Sequence, residues 1–154
     1  MIDTCMSEGG CGHVIRMADN ISPAERSKVM ARVRQRNTGP EMVVRRMLHA
    51  LGYRFRLHQA ELPGVPDVVF VKRRKIIFVH GCFWHGHTAA TCKLARVPKS
   101  RTEFWRAKVR YNQERFEGQL ARLKAMHWDV AVVWECELKE PEDVKRRLGA
   151  FLGS

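Results

Sequence analysis

The chain reads as an α/β sandwich, a mixed sheet with helices on both faces. Three observations predict it. Two short apolar runs, Val68 to Val71 and Ile76 to Val79, are joined by a basic turn at Lys72 to Lys75, as in a pair of buried strands. A third run, Val130 to Trp134, follows a long helical pattern that opens at Thr102, which suits a parallel crossover. The full order is helix, helix, strand, strand, strand, long helix, strand, helix, with no internal repeat and no second domain.

Each element has its own signal. Residues 1–18 are Gly-rich and aperiodic, with Cys5, Cys11 and His13 scattered among small residues, and read as a disordered extension. Residues 19–154 form one domain. Ser22-Pro23 enters a basic helix that carries Arg26, Lys28, Arg32, Arg34 and Arg36. Thr38-Gly-Pro-Glu41 opens a second helix, whose apolar stripe is Met42, Val43, Met47, Leu48 and Leu51, and Gly52 ends it. Tyr53 to Leu57 alternates apolar with basic, as a half-buried strand does. Residues 86–100 form a loop. Thr102 caps the long helix, which runs to about Met126, and His127 to Asp129 turns into the last strand. Pro141 opens a final helix.

Charge is the strongest bulk signal. The 154 residues hold 28 Lys and Arg against 16 Asp and Glu, a net +12, with a pI near 10.1. Such an excess favours a polyanion, nucleic acid before membrane. No apolar run approaches the roughly 20 residues of a membrane helix, and no signal-peptide core opens the chain, so the expected location is the cytoplasm. Five cysteines, an odd number, argue for metal ligation or free thiols over a disulfide framework.

The chemistry concentrates in Phe78-Val-His-Gly-Cys-Phe-Trp-His-Gly-His87. Cys82, His87 and Cys92 are separated by four residues each, and Cys136 ends the neighbouring strand. By spacing alone, a zinc site is balanced by a plainer reading, with Cys136 in the core and His87 at the surface. A long polar loop that needs fixing tips the balance towards zinc. Asp67, at the start of one strand, can approach Glu41, His80 and His85. An aspartate suits Mg²⁺ and a histidine suits proton transfer, the needs of phosphodiester hydrolysis. Phe83 and Trp84 are hard to bury together in so short a loop and read as wedges between bases, with Trp105 a further candidate. Phe104 reads as packing around the metal.

From about Ser22 to Leu138 the chain resembles the very short patch repair endonucleases, which nick DNA beside T:G mismatches left by deamination of 5-methylcytosine. The resemblance rests on Leu62-Pro-Gly-Val-Pro-Asp67, Phe78-Val-His-Gly-Cys-Phe-Trp-His85, Arg101-Thr-Glu-Phe-Trp105 and Val133-Trp-Glu-Cys136 in that order. It implies a restriction-endonuclease-like three-layer sandwich with a mixed central sheet and a structural zinc site, and Mg²⁺ as the catalytic ion. Asp67 would hold Mg²⁺ together with the backbone carbonyl of Val79, which stands where a relative carries Thr. His85 would be the main acid/base group, with His80 and Glu41 assisting. Cys82, His87, Cys92 and Cys136 would bind zinc. Phe83, Trp84 and Trp105 would enter the duplex, Met30 would enter from the opposite groove, and Asn112 would lie near the mispaired bases. Phe116 stands where an Asp often occurs.

The implied reaction is a strand-specific nick 5′ of the thymine in a T:G pair in double-stranded DNA. The implied partners are a cytosine-5 methyltransferase with the same target and general mismatch-repair proteins. The protein would act as a monomer on the bacterial nucleoid. Two alternatives remain at this point. One is an endonuclease of the same fold with another DNA substrate. The other is a zinc-stabilised DNA-binding module that no longer cuts.

Overall fold

The computed structural model describes residues 36–153, together with Ser22, Ala24, Glu25 and Lys28. The expected extension and Met30 lie outside the described residues. At the start of the N-terminal helix, the Ser22 backbone N–H donates to the Glu25 carboxylate at 3.0 Å and the Ser22 hydroxyl accepts the Glu25 N–H at 3.3 Å, the reciprocal pairing of a capping box.

Three strands form one sheet in the order β1 (Val68–Phe70), β2 (Lys75–His80), β3 (Asp129–Trp134). β1 and β2 are antiparallel, with Val68 opposite Ile77 and Phe70 opposite Lys75. β2 and β3 are parallel, in register from Lys75 opposite Asp129 to His80 opposite Trp134. The sheet is therefore mixed. The parallel register sends Gly81 and Glu135 out at the same rim, and that rim carries the site.

Because β2 is covered on both faces, its side chains are apolar in an unbroken run rather than alternating. On one face Ile77, Val68, Phe70 and Val133 meet α1 (Gly39–Ala50), through Val44, Met47 and Leu48, and α3 (Pro141–Leu152), through Val144, Leu148 and Leu152. On the other, Val69, Ile76 and Phe78 meet Leu123 of α2 (Thr102–Ala125) and Trp128. Ile77 is fully buried at the centre. Ile77→Ala is expected to cost about 2–5 kcal/mol, read as a lower denaturant midpoint at unchanged slope.

The helix ends follow from their sequence. α1 stops in a Schellman turn: Gly52 is left-handed at φ 83, its N–H reaches His49 O, and the Tyr53 N–H reaches Leu48 O, each at 3.0 Å. α2 ends the same way with His127 at φ 57, and the Trp128 N–H bonds Leu123 O at 3.0 Å. That turn delivers the Trp128 ring into the core, with the Arg74 guanidinium 4.4 Å above it.

Four expectations are corrected. Tyr53 to Leu57 forms a single bridge, Arg56 to Val69, and no strand. β1 offers only three residues before the 3-10 turn Val71–Arg73, and His58, left-handed at φ 47, turns the chain away. The expected strand residue Val71 therefore belongs to that turn. Thr102 does not cap α2, because Arg101 occupies the cap position and the Thr102 hydroxyl donates back to Pro98 O and Lys99 O. The buried face of α1 is Glu41, Val44, Arg45, Met47 and Leu48, while Val43 and Leu51 are exposed.

Candidate active site and metal centre

A cleft of about 520 Å³ opens at the rim where β2 ends. Its wall includes Glu41, Asp67, Val79, His80 and His85, brought from α1, the entry to β1, β2 and the loop after it. The turn Leu62 to Pro66 delivers Asp67. Gly64 in that turn has φ +81, and a Cβ there would lie 2.7 Å from the Gln119 side chain of α2, so the turn packs directly on the helix. The Asp67 Oδ2 accepts the Val79 N–H at 2.7 Å, which pins the carboxylate across to β2. Burial, with the nearby Glu41 charge adding to it, raises the Asp67 carboxyl to about 6 against the opposing effects of the Val79 N–H and Arg45.

Glu41 is satisfied by the protein itself. Its oxygens accept from the Thr38 hydroxyl at 2.8 Å, the Asn37 N–H at 2.9 Å and the Arg45 Nη2 at 2.9 Å. The Glu41–Arg45 pair is buried, with 5% and 7% of the two side chains exposed. Arg45→Leu leaves that carboxylate uncompensated and is expected to cost about 3–5 kcal/mol, measured by thermal or urea unfolding.

His80 and His85 stack face to face, with ring centroids 3.6 Å apart and planes 9° from parallel. Phe116 meets the His80 ring edge-on at 4.4 Å. Burial, with His85 alongside, pushes His80 down to about 3, and burial with Arg115 pushes His85 down to about 4. Both rings are neutral at pH 7, the form in which an imidazole accepts a proton. His85 Nδ1 is buried and finds no hydrogen-bond partner among the described residues.

The second cluster sits beside the first. One ligand atom from each of Cys82, His87, Cys92 and Cys136 lies within 4.8 Å of all the others. The Cys136 Sγ is 3.3 Å from His87 Nδ1, and the Cys136 N–H points at Cys82 Sγ at 3.4 Å. His87 is oriented by stacking on Trp134, at 4.3 Å and 12°. Burial raises the Cys82 thiol. At Cys92 burial pulls the same way, but backbone N–H groups of Leu94 and Ala95 and the neighbouring thiols outweigh it and lower the value. Three soft sulfurs and an imidazole converging on one point are the donor set of a tetrahedral thiophilic metal.

The loop that links the two clusters is held by α2. Asn112 Nδ2 donates to Trp84 O at 2.9 Å, and Gln113 Nε2 donates to His85 O at 3.2 Å and Gly86 O at 3.3 Å. Gly86 is left-handed at φ +61, and a Cβ there would come within 2.6 Å of Gln113 and Val109. Gly86→Ala is expected to lower the melting temperature by several degrees and to disturb His85, visible in the imidazole resonances.

The aromatics differ from expectation. Phe83 is only 2% exposed and Trp105 6%, packed edge to face with the half-buried Trp84. The loop can bury Phe83 because the first turn of α2 supplies Trp105 as a wall. Phe104, expected to pack, is instead 48% exposed with Arg101 over its ring.

The family model described as DNA mismatch endonuclease Vsr matches residues 18–91. A relative from Xanthomonas oryzae pv. oryzae, the type II nicking enzyme V.XorIIP, is 49% identical over 136 residues, covering 88% of this chain and 98% of that one. The DNA mismatch endonuclease Vsr of Escherichia coli strain K12 is 44% identical over 126 residues, covering 82% and 79%. The chain belongs to the Vsr family. The type II nicking enzyme V.NmeAIP of Neisseria meningitidis is 39% identical over 136 residues, covering 88% and 95%.

Several residues of this Vsr-family cleft escaped sequence reasoning. Arg36, His58, Lys108, Arg115, Gln119 and Glu135 all line it. The α2 members had a signal: Lys108, Asn112, Arg115, Phe116 and Gln119 fall at the spacings of one helical face. Glu135 accepts the Cys82 N–H, and burial raises its carboxyl. His58 carries no pattern in the sequence, since its place depends on a left-handed turn.

Proposed function

We propose that the protein is a Mg²⁺-dependent endonuclease that nicks one strand of duplex DNA 5′ of the thymine in a T:G mismatch. The observation that carries the reading is the pairing, in one cleft, of an anchored carboxylate at Asp67 with a neutral imidazole at His85 whose Nδ1 has no partner among the described residues. Membership of the Vsr family supplies the substrate class, and the +12 charge suits a polyanion. A mixed sheet between helices, with the site at the strand ends, supports reading the fold as restriction-endonuclease-like.

Asp67 and the Val79 carbonyl would hold the ion, a donor set of hard oxygens that fits Mg²⁺. Bound there, Mg²⁺ would neutralise phosphate charge and lower the pKa of a water. His85 takes a proton from the attacking water, the leaving oxygen takes its proton from solvent, and the stacked His80 keeps the His85 ring in place. Glu41, engaged with Arg45 and Asn37, acts through its charge on Asp67 rather than as a ligand. Cys82, His87, Cys92 and Cys136 would hold zinc, which would fix the loop bearing His85. Trp84, the half-buried member of the aromatic cluster, contacts the distorted duplex with Phe83 and Trp105 packed behind it, and the Asn112 amide approaches the mispaired bases from α2. A cytosine-5 methyltransferase that shares the recognition site would supply the 5-methylcytosine whose deamination leaves the T:G pair. No described helix is long and apolar enough to cross a membrane.

The test is nicking of an end-labelled duplex with one T:G pair in several cytosine-methylation contexts, with and without Mg²⁺. The reading requires a Mg²⁺-dependent cut on the thymine strand that is absent from the matched T:A duplex. Equal cutting of matched DNA would move the protein to another substrate, and binding without cutting would make it a DNA-binding module.

A further inference from the structure

The cleft that holds His85 is also lined by a histidine outside both clusters. His58 follows the single bridge at Arg56 and holds φ 47, a left-handed conformation that few side chains adopt without cost. Its Nε2 lies 3.2 Å from Nη2 of the buried Arg45, the nitrogen that also bonds Glu41 at 2.9 Å. A guanidinium can only donate, so His58 Nε2 accepts, and the ring proton must sit on Nδ1. The 3.5 Å approach of Nε2 to Asn37 Oδ1 is the longer contact, and that oxygen already accepts from Arg45 Nη1 at 2.6 Å. Burial, and then the positive charge of Arg45, holds His58 below the ordinary imidazole value, with Arg36 acting in the same sense and Glu41 opposing. The ring is therefore a neutral N–H donor, fixed from behind by a buried ion pair. Its Nδ1 has no hydrogen-bond partner among the described residues, and the residue lines the cleft with Asp67, Arg36, Lys108 and Arg115.

We propose that His58 is a substrate-binding residue whose Nδ1–H donates to a non-bridging oxygen of one phosphodiester in the bound DNA strand. The inference rests on the reading of the cleft as the DNA-cutting site. The cationic side chains around the cleft draw the backbone inward, and an uncharged donor in a fixed tautomer sets its register, as a backbone N–H does in other phosphate sites. Arg45 is a positioning residue for His58 and has no contact with DNA in this scheme. Because His58 is neutral, its bond adds affinity without releasing a counterion. Its loss should weaken binding equally at all salt concentrations, whereas loss of a Lys or Arg contact lowers the salt slope by about 0.9.

The test uses the full chain and a duplex with one T:G mismatch, with methylphosphonates replacing single phosphates along the strand. Binding is measured without Mg²⁺ from low to moderate salt. His58→Ala should weaken binding roughly tenfold on matched and mismatched duplex alike, with the salt slope unchanged. One methylphosphonate position should weaken wild-type binding by a similar factor and leave His58→Ala unaffected. His58→Asn, which tolerates the left-handed backbone, separates this effect from misfolding, and thermal unfolding checks all variants. Additive losses at every position, a loss confined to the mismatched duplex, a fallen salt slope or unchanged affinity would each overturn the assignment. If wild type neither binds nor nicks the mismatched duplex, the reading of the cleft itself fails. If wild type does both and His58 is indifferent, only this inference fails.

Discussion

Asp67→Asn will reduce the single-turnover nicking rate at saturating Mg²⁺ by about a thousandfold or more, with DNA binding in the absence of metal retained or tightened. The substitution is nearly isosteric, and the amide oxygen can still accept the Val79 N–H that Asp67 now accepts at 2.7 Å. What disappears is the negative charge proposed to hold the ion, and with it several kcal/mol of electrostatic stabilisation expected in the transition state. A rate within tenfold of wild type would remove Asp67 from the mechanism.

The same variant has a second expected signature, opposite in sign. Burial raises the Asp67 carboxyl from 3.8 to about 6 in the folded protein, so its ionised form opposes folding when no metal is bound. Below about pH 3.8 the group is protonated in both states and this penalty is absent. It grows as pH rises and is complete above about pH 6. In EDTA the variant should therefore be more stable than wild type at pH 7, by about 1–2 kcal/mol, and the gap should close as pH falls towards 4. Wild type as stable as the variant at pH 7 would contradict the burial argument. Activity at this position is bought with stability, a common arrangement for charged groups that await a ligand.

The second large effect concerns the sulfur cluster. Cys82→Ala, or removal of metal with a strong chelator, is expected to lower stability by at least about 3 kcal/mol and the melting temperature by more than about 10 °C. Nicking should disappear with it. The reason lies in the order of the loop: Cys82 and His87 are ligand candidates and His85 sits between them. Without an ion, His85 keeps its stacking on His80 and the Gln113 amide bonds as restraints. Purified protein should carry one equivalent of zinc by elemental analysis, lost in the variant. Metal-free wild type with full stability and activity would reduce the cluster to buried thiols.

The legibility of the chain in its sequence varied with the range of the forces involved. β2, β3, α1, α2 and α3 were readable because burial imposes continuous apolar runs on covered strands and caps punctuate helices. The meeting of Cys82 and Cys136 could be argued from topology, since two parallel strands in register end at one rim. The failures lie where the backbone leaves regular structure. Tyr53 to Leu57 alternates like a strand, yet β1 is too short to pair with it. Arg45 looks like a surface helix residue until Glu41, Asn37 and His58 close around it. The exchange of roles between Phe83 and Phe104 depends on where the first turn of α2 places Trp105, a contact no local pattern encodes.

α2 has 24 residues, a rod of about 36 Å, and its buried residues are Trp105 near one end and Leu123 near the other. Leu123 belongs to the sheet core, but Trp105 rests on Phe83, which is part of the metal loop. The rod is thus welded at its C-terminal end and strapped at its N-terminal end to a segment whose order, on the proposed zinc reading, depends on an ion. In amide hydrogen exchange the two halves should behave as different bodies. Chelation would release the turns around Trp105 to Asn112 into fast exchange while those around Leu123 stay protected until the whole domain opens. The cell's zinc supply would then govern how firmly the protein's DNA-facing helix is held, without any change in the core that keeps the chain folded.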